Sequence, residues 1–480
     1  MRLPWSIVLA TCMALVPATV RAQVTIGEPL PRAASKDAPE TVKLVLHPAT
    51  EPRPALKYHL FPPLPDRRPG NAAVLYGKVT AEQTQFFGNQ KLWEKIVEWV
   101  DMPLEKLPKD EVRKAAQGFN VDFLDRAARR ESVDWELPIR EQEFMSILLP
   151  ELQQLRSFGR MLAVKSRVEI ADGKYDDALH TLQTGYGLAR HAGQAPTLVN
   201  ALVGMAISNM MSKRVEEFVQ RPDSPNLYWA LTHLPQPLVD MRPGFEAEWS
   251  MLYLSYPELR DLEKKDLSPD EWRRMLEKFF GRFRDWSSGS PRENPSLQRL
   301  AMTGLAVWAY PRAKQGMIGR GYSAAQVEAM PVAQVVLLDT MQTYNEFRDG
   351  MLKWFAVPWP QAERGLADAE RHLRSAEHQG AIPLARVLLP AIGAAYRAQA
   401  KHQRTIAALQ AVEAIRLYGA AHDGRLPDKL DDVTEVPIPP DPTTGKPFVY
   451  QRTGQGAILE SPGGKNLGLR YEITFAPKGK

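Results

Sequence analysis

At 480 residues, 44% of them hydrophobic and 24% charged, the chain has the composition of an ordinary folded protein and can bury a core that needs no metal or disulfide staple. Its 61 basic and 56 acidic residues nearly cancel, which gives no argument for nucleic acid or an anionic membrane as partner, and neither is expected. The single cysteine, Cys12 near the N-terminus, excludes thiolate chemistry, disulfides and cysteine metal sites from everything after it.

Residues 1–22 read as a signal peptide. Arg2 supplies a short basic start, Trp5 to Val16 is an apolar run too short to span a bilayer, and Val20-Arg21-Ala22 puts small residues where a signal peptidase reads. Cleavage is expected between Ala22 and Gln23, delivering the product to a periplasm or outside the cell. No later apolar run reaches the length of a membrane span, so no transmembrane segment is expected in the mature chain.

Residues 23–70 form a proline-rich arm. Thr41 to Leu46 alternates enough to predict one strand, and the prolines recurring from Pro48 to Pro69 predict an extended, polyproline-like course. Leu56, Tyr58, Leu60 and Phe61 are apolar enough to dock it on a helical body. A helical domain is expected over 71–290, opening with short helices at about 72–86, 89–100, 108–118 and 121–130.

The heart of that domain is 152–220, three helical patterns separated by glycine stops. In the first, Leu155, Phe158 and Leu162 make one apolar stripe and Met161, Val164 and Val168 a second, so two faces pack; Arg156, Arg160 and Arg167 mark the face expected to be wet. Gly173 closes this helix, since glycine adopts the left-handed backbone of a C-terminal cap without a side-chain clash. The second helix starts almost at once and must therefore run antiparallel. The third, behind Pro196, is apolar on most sides through Leu198, Leu202, Met205, Met210 and Met211 and reads as the buried centre.

Ser166, Gly173, Tyr175, Ala178, Leu182 and Gly185 have the spacing of the small, glycine, tyrosine, alanine, aromatic and small positions of a tetratricopeptide (TPR) unit, and this stretch resembles that family over one repeat of about 34 residues. The resemblance implies antiparallel helices crossing closely at small side chains, and binding of protein or peptide. Lys165 and Glu169 stand where the repeat is usually apolar, and Arg190 where a proline is common, so the stretch is TPR-like.

Beyond 220, a short helix is expected over Leu227–Leu234 and another from Pro243, aromatic along Phe245, Trp249, Leu252 and Tyr256. Ser268-Pro-Asp-Glu271 is a capping signature for the helix Trp272–Trp286, and Ser287–Pro295 reads as a loop. A second helical region, 291–423, should hold helices at about 296–310 and 331–355 around a glycine-rich connector, Gly316–Gly321, then 361–378 and 383–421. The last part, 424–480, is a small β-rich module with strand-like runs Pro447–Gln451, Ala457–Glu460 and Leu469–Phe475. A long helix ending in Tyr418, the Gly-Arg-Leu-Pro turn and Asp441-Pro-Thr-Thr-Gly-Lys-Pro-Phe-Val-Tyr450 resemble the C-terminal half of type II secretion pseudopilins over about 60 residues. The processing signature and membrane-spanning start of those proteins are missing, so the resemblance implies the helix-plus-sheet module and not pilus assembly. As a whole the chain resembles exported helical proteins that some bacteria encode in many copies, which implies no activity.

Chemical candidates are few. The nine histidines form no paired-ligand motif, and no metal or cofactor is expected. Gly321-Tyr-Ser323-Ala-Ala325 approaches a nucleophile elbow but lacks the strand before it, so Ser323 is expected to cap a helix. Asp441-Pro-Thr-Thr-Gly445 reads as a turn. The sharpest polar feature is Asp240-Met-Arg242-Pro-Gly-Phe-Glu246-Ala-Glu248-Trp249. Glu246 shares a helix face with Trp249 and Tyr253, where desolvation would raise its pKa and make it a general acid, with Asp240 or Glu248 as partner carboxylate. The plainer alternative pairs Glu246 with Arg242 or with an arginine such as Arg156.

The fold expected is therefore mainly α, a TPR-like antiparallel helical array with a small C-terminal α+β module. The function expected is that of an exported, non-catalytic scaffold contacting proteins or peptides. Its rivals are a hydrolase of polysaccharide or peptidoglycan acting through Glu246, and a secretion-system accessory protein.

Overall fold

Apolar periodicity, punctuated by proline and glycine, divides most of the chain into helices. The computed structural model describes residues 39–139, 151–288, 295–375, 380, 382–463 and 467–477; the signal-peptide expectation and most of the Ser287–Pro295 loop lie outside them. Seventeen α-helices and six strands are present among the described residues.

The N-terminal helices are α1 (Ala72–Glu82), α2 (Thr84–Phe87), α3 (Gln90–Asp101), α4 (Lys109–Gly118) and α5 (Asp122–Ala128). The central three are α6 (Glu151–Ala171), α7 (Tyr175–Ala192) and α8 (Leu198–Phe218), followed by α9 (Tyr228–Thr232), α10 (Arg242–Ser255) and α11 (Pro269–Ser288). The remainder are α12 (Pro295–Gly319), α13 (Ala324–Ala329), α14 (Val332–Leu352), α15 (Trp359–Ser375), α16 (Leu384–Leu388) and the long α17 (Pro390–Ala421). The strands are β1 (Glu40–Leu46), β2 (Arg68–Asn71), β3 (Arg130–Ser132), β4 (Val449–Thr453), β5 (Gly456–Ser461) and β6 (Leu469–Phe475).

Helices α6, α7 and α8 pack against one another, and the closeness of the packing follows from side-chain size. A Cβ on Gly185 of α7 would fall 2.1 Å from the Met211 sulfur of α8, and one on Gly204 would fall 2.6 Å from the Ala189 carbonyl oxygen. Gly173 turns the chain between α6 and α7 with φ +71. Tyr175 sets its ring edge-on to Phe218 and donates its hydroxyl to the Pro222 carbonyl at 2.6 Å. Ser166, Ala178 and Leu182 are fully buried. The non-apolar pair at Lys165 and Glu169 is accommodated by pairing: Lys165 bonds Glu169, and Thr181 of α7 donates to Glu169 at 2.8 Å.

One expected face is not wet. Arg167 is 1% exposed, and its guanidinium donates to the Trp99 and Met102 carbonyls at the C-terminal end of α3, with Glu217 of α8 at 2.9 Å as counter-ion. Helix C-termini leave carbonyls unpaired, and here a buried arginine from another helix satisfies them. Arg156 and Arg160 are half-buried as well. The glycine-rich connector is also shorter than expected. Helix α12 continues through Pro311 and Gly316 because Ala309, Ala313 and Met317 are buried in its packing on α14, and only Gly321, with φ +100, marks the turn.

The main sheet has the order β1-β6-β5-β4, with β1 parallel to β6 and the other pairs antiparallel. Leu44 and Leu46 of β1 point to the same buried layer as Leu469, Tyr471 and Ile473 of β6, as period-two alternation requires. A parallel pair needs a long crossover, and here the entire helical body forms it. The proline-rich arm thus supplies the edge strand of the C-terminal sheet. The sheet is fastened to the helices: Tyr471 donates to Glu216 of α8 at 2.6 Å, and Phe475 lies where a side chain on Gly419 of α17 would be. Below it, the fully buried Arg416 of α17 bonds Glu413 at 2.9 Å, the Ser224 carbonyl at 2.8 Å and the His47 carbonyl at 2.8 Å, tying α17, the α8–α9 turn and the arm together.

Candidate functional site

The carboxylates singled out in the sequence lie on helix α10 (Glu246, Glu248) and just before it (Asp240), and the structure does not bring them together. Asp240 is committed to Arg242, whose Nε and Nη2 lie 2.9 and 2.6 Å from its two oxygens. Burial pushes the Asp240 carboxyl up, but the bonds from Arg242 outweigh it and hold it below the usual range. Glu246 is exposed. Glu248, two positions on, points to a different side of the helix, since i and i+2 do not face each other. The desolvated carboxylate is Glu248, not Glu246: burial alone pushes its pKa up to about 7. The neighbouring aromatics fasten α10 to α14. Trp249 donates to Asp349 at 3.0 Å, Tyr253 to Asn345 at 2.8 Å, and the Arg348 guanidinium lies 5.0 Å above the Trp249 ring.

Ser323 caps α13 in a reciprocal box with Gln326, so its hydroxyl is a structural acceptor. Asp441 is fully buried and accepts from the hydroxyls of Thr443 and Ser461, each at 2.8 Å, inside a turn closed by Gly445 at φ +69. Among the described residues no group of three or more His, Cys, Asp or Glu is placed to hold a metal ion.

A different place has the features of a binding site. The arm returns over α5 and α7 after its docking residues: Leu60 is fully buried, Tyr58 and Phe61 are half-buried, and Leu56 stays exposed. Strand β2 then pairs in parallel with β3, Arg68 opposite Arg130. Between arm and helix end lies a cleft of about 610 Å³ lined by Asp66, Arg68, Pro69, Arg126, Arg129 and Arg130. Four arginines and one aspartate line it.

Each arginine is positioned by a local cause. Arg129 ends α5 and bonds Asp125 four residues back and Gln183 of α7 at 2.7 Å. Burial raises the Asp125 carboxyl, but the hydrogen bonds from His180 and Thr184, with the Arg129 charge, bring it below the usual range. Arg130 bonds the Pro69 carbonyl of the arm. Its own carbonyl accepts from His191 Nε2 at 3.0 Å, which leaves His191 Nδ1 to accept from the Tyr76 hydroxyl at 2.9 Å. Arg68 reaches the Pro65 and Arg67 carbonyls through Nη1 alone. Arg126, exposed, lies 3.7 Å from Asp122.

Next to this cleft, a smaller one of about 160 Å³ lies between His59–Pro63, Arg67, Ala230 and His233. There the ring of Phe61 carries two guanidinium groups, Arg67 at 5.1 Å and Arg190 at 5.7 Å. Burial, with Arg67 nearby, lowers the pKa of Arg190. The overall charge balance conceals this concentration. Its sequence signal was Arg67-Arg68 and Arg126-Ala-Ala-Arg129-Arg130, two short clusters far apart until the arm folds back.

Among the described residues no helix is long and apolar enough to cross a membrane. No known protein family, curated protein or solved structure matches this chain.

Proposed function

We propose that this protein is an exported, non-catalytic, TPR-like helical scaffold that works through contacts with protein or peptide. The observation that supports it is the arginine-lined cleft beside α5 and α7, which offers hydrogen-bond donors for a ligand while its wall residues include no hydroxyl or thiol and no histidine. The close crossing of α7 and α8 at Gly185 and Gly204 supports the TPR-like part of the reading. Export through a peptide cleaved at Ala22/Gln23 belongs to the same proposal. It is tested by mass spectrometry of the mature chain, whose first residue should be Gln23.

The scaffold reading is tested by screening the full chain against an immobilised peptide library and, in parallel, for release of reducing ends from purified peptidoglycan. Peptide binding without turnover is expected. Turnover lost in Glu248→Gln would overturn it in favour of a second reading, a hydrolase, which one observation favours: a carboxyl with a pKa of about 7 is in the range of a general acid.

A further inference from the structure

We propose that the arginine-lined cleft takes an acidic stretch of a partner polypeptide, holding its carboxylates between Arg68, Arg126 and Arg130. The inference rests on the scaffold reading and adds the chemistry of the partner. It starts from a donor inventory. A guanidinium has five N–H donors and no acceptor. Arg129 is spent on Asp125, Gln183 and His180. Arg68 and Arg130 are not: each uses only Nη1, for backbone carbonyls of the arm, which fixes the group in place and leaves its Nε and Nη2 edge without an acceptor among the described residues. Arg126 has one ion pair, at 3.7 Å, and a ring contact with Phe123 at 5.4 Å. The acid on the wall, Asp66, forms no ion pair among the described residues, and one carboxylate stands against four guanidinium groups.

Like charges gathered on facing walls repel unless an anion lies between them, and a guanidinium edge matches a carboxylate in a two-bond fork. The donors come from two walls, the arm on one side and the end of α5 with β3 on the other, around a space of about 610 Å³. That volume is in the range that buries a ligand of drug size or a few residues of peptide, far more than one oxyanion fills. Several carboxylates along an extended chain meet this layout better than a single phosphate.

The experiment uses the full chain and fluorescence anisotropy with labelled hexaglutamate, with hexaglutamine as neutral control and inorganic phosphate as competitor. Hexaglutamate is expected to bind, to weaken several-fold between roughly 50 and 200 mM salt, and to lose about tenfold in affinity in Arg68→Gln with Arg126→Gln. Both side chains are exposed, so the variant should keep the circular dichroism spectrum and melting temperature of the parent. Absence of hexaglutamate binding, or binding indifferent to the two substitutions, overturns the inference. So does displacement by phosphate at concentrations where phosphate alone binds, which would make this a lone-oxyanion site. Equal binding of hexaglutamine removes the acidic preference and leaves the scaffold reading standing; that reading fails separately, in the peptide-library screen.

Discussion

At the scale of single residues, burial decides which ionisable groups matter, and the sequence ranked them differently. Glu248 keeps its proton up to about pH 7 in the folded chain, whereas the ordinary value is 4.5. The folded state therefore binds more protons across that window, and the fold loses stability as pH rises from about 4.5 to 7. Glu248→Gln is expected to be more stable than the parent at pH 8 by roughly 1–3 kcal/mol and nearly equal to it at pH 4.5, read by urea unfolding; the same difference at both pH values would show that Glu248 does not titrate this way. Histidine burial acts with the opposite sign. His402, fully buried and 2.6 Å from the Ser208 hydroxyl, has its pKa pushed down from 6.5 to about 4 by desolvation. It is neutral in the folded chain, so its contribution is present above pH 6.5 and lost as pH falls to about 4. His402→Gln should reduce the parent's stability loss between pH 7 and pH 4 by about 3 kcal/mol, and an unaltered slope would contradict the assignment.

At the scale of elements, helix contacts turn on what stands opposite each glycine. Gly185 faces the thioether of Met211, an unbranched side chain that can swing aside, while Gly204 faces the Ala189 carbonyl and the Gly193 backbone, which cannot. Alanine has the better helix propensity at both positions, by about 1 kcal/mol. Gly204→Ala is nevertheless expected to destabilise by roughly 1–3 kcal/mol, and Gly185→Ala to cost less or nothing; thermal unfolding in the reverse order would mean that the α7–α8 crossing is looser than described. The same contrast explains which elements were readable. The capping signatures at Ser268 and Ser323 are local, and both form. Arg167 misled because the carbonyls it satisfies lie on another helix, α3.

At the scale of the whole molecule, the two ends of the chain meet in one sheet. Because β1 contributes Leu44 and Leu46 to the buried layer, at 1% and 0% exposure, a chain beginning at residue 49 should lose about 3–6 kcal/mol of stability. It should also bare the β6 edge and self-associate, which sedimentation would register. An unchanged urea midpoint and a monomeric species would show the pairing to be dispensable. The arginine cleft has the same origin: it exists only because the arm turns back after Leu60 and sets Arg68 beside Arg130.

The sequence by itself determined the helical class, nearly all helix positions after residue 71, a strand over 41–46, the three C-terminal strands and the caps, because each is written in side chains within a turn or two of one another. Tertiary structure decided what those elements meet. It placed a parallel strand from the arm beside β6, buried Arg167 and Arg416 as clamps on distant carbonyls, and left Glu246 exposed while Glu248 lost its solvent. It also gathered two remote arginine clusters around one cleft. Burial and long-range charge depend on neighbours hundreds of residues away, and periodicity along one helix carries no information about them.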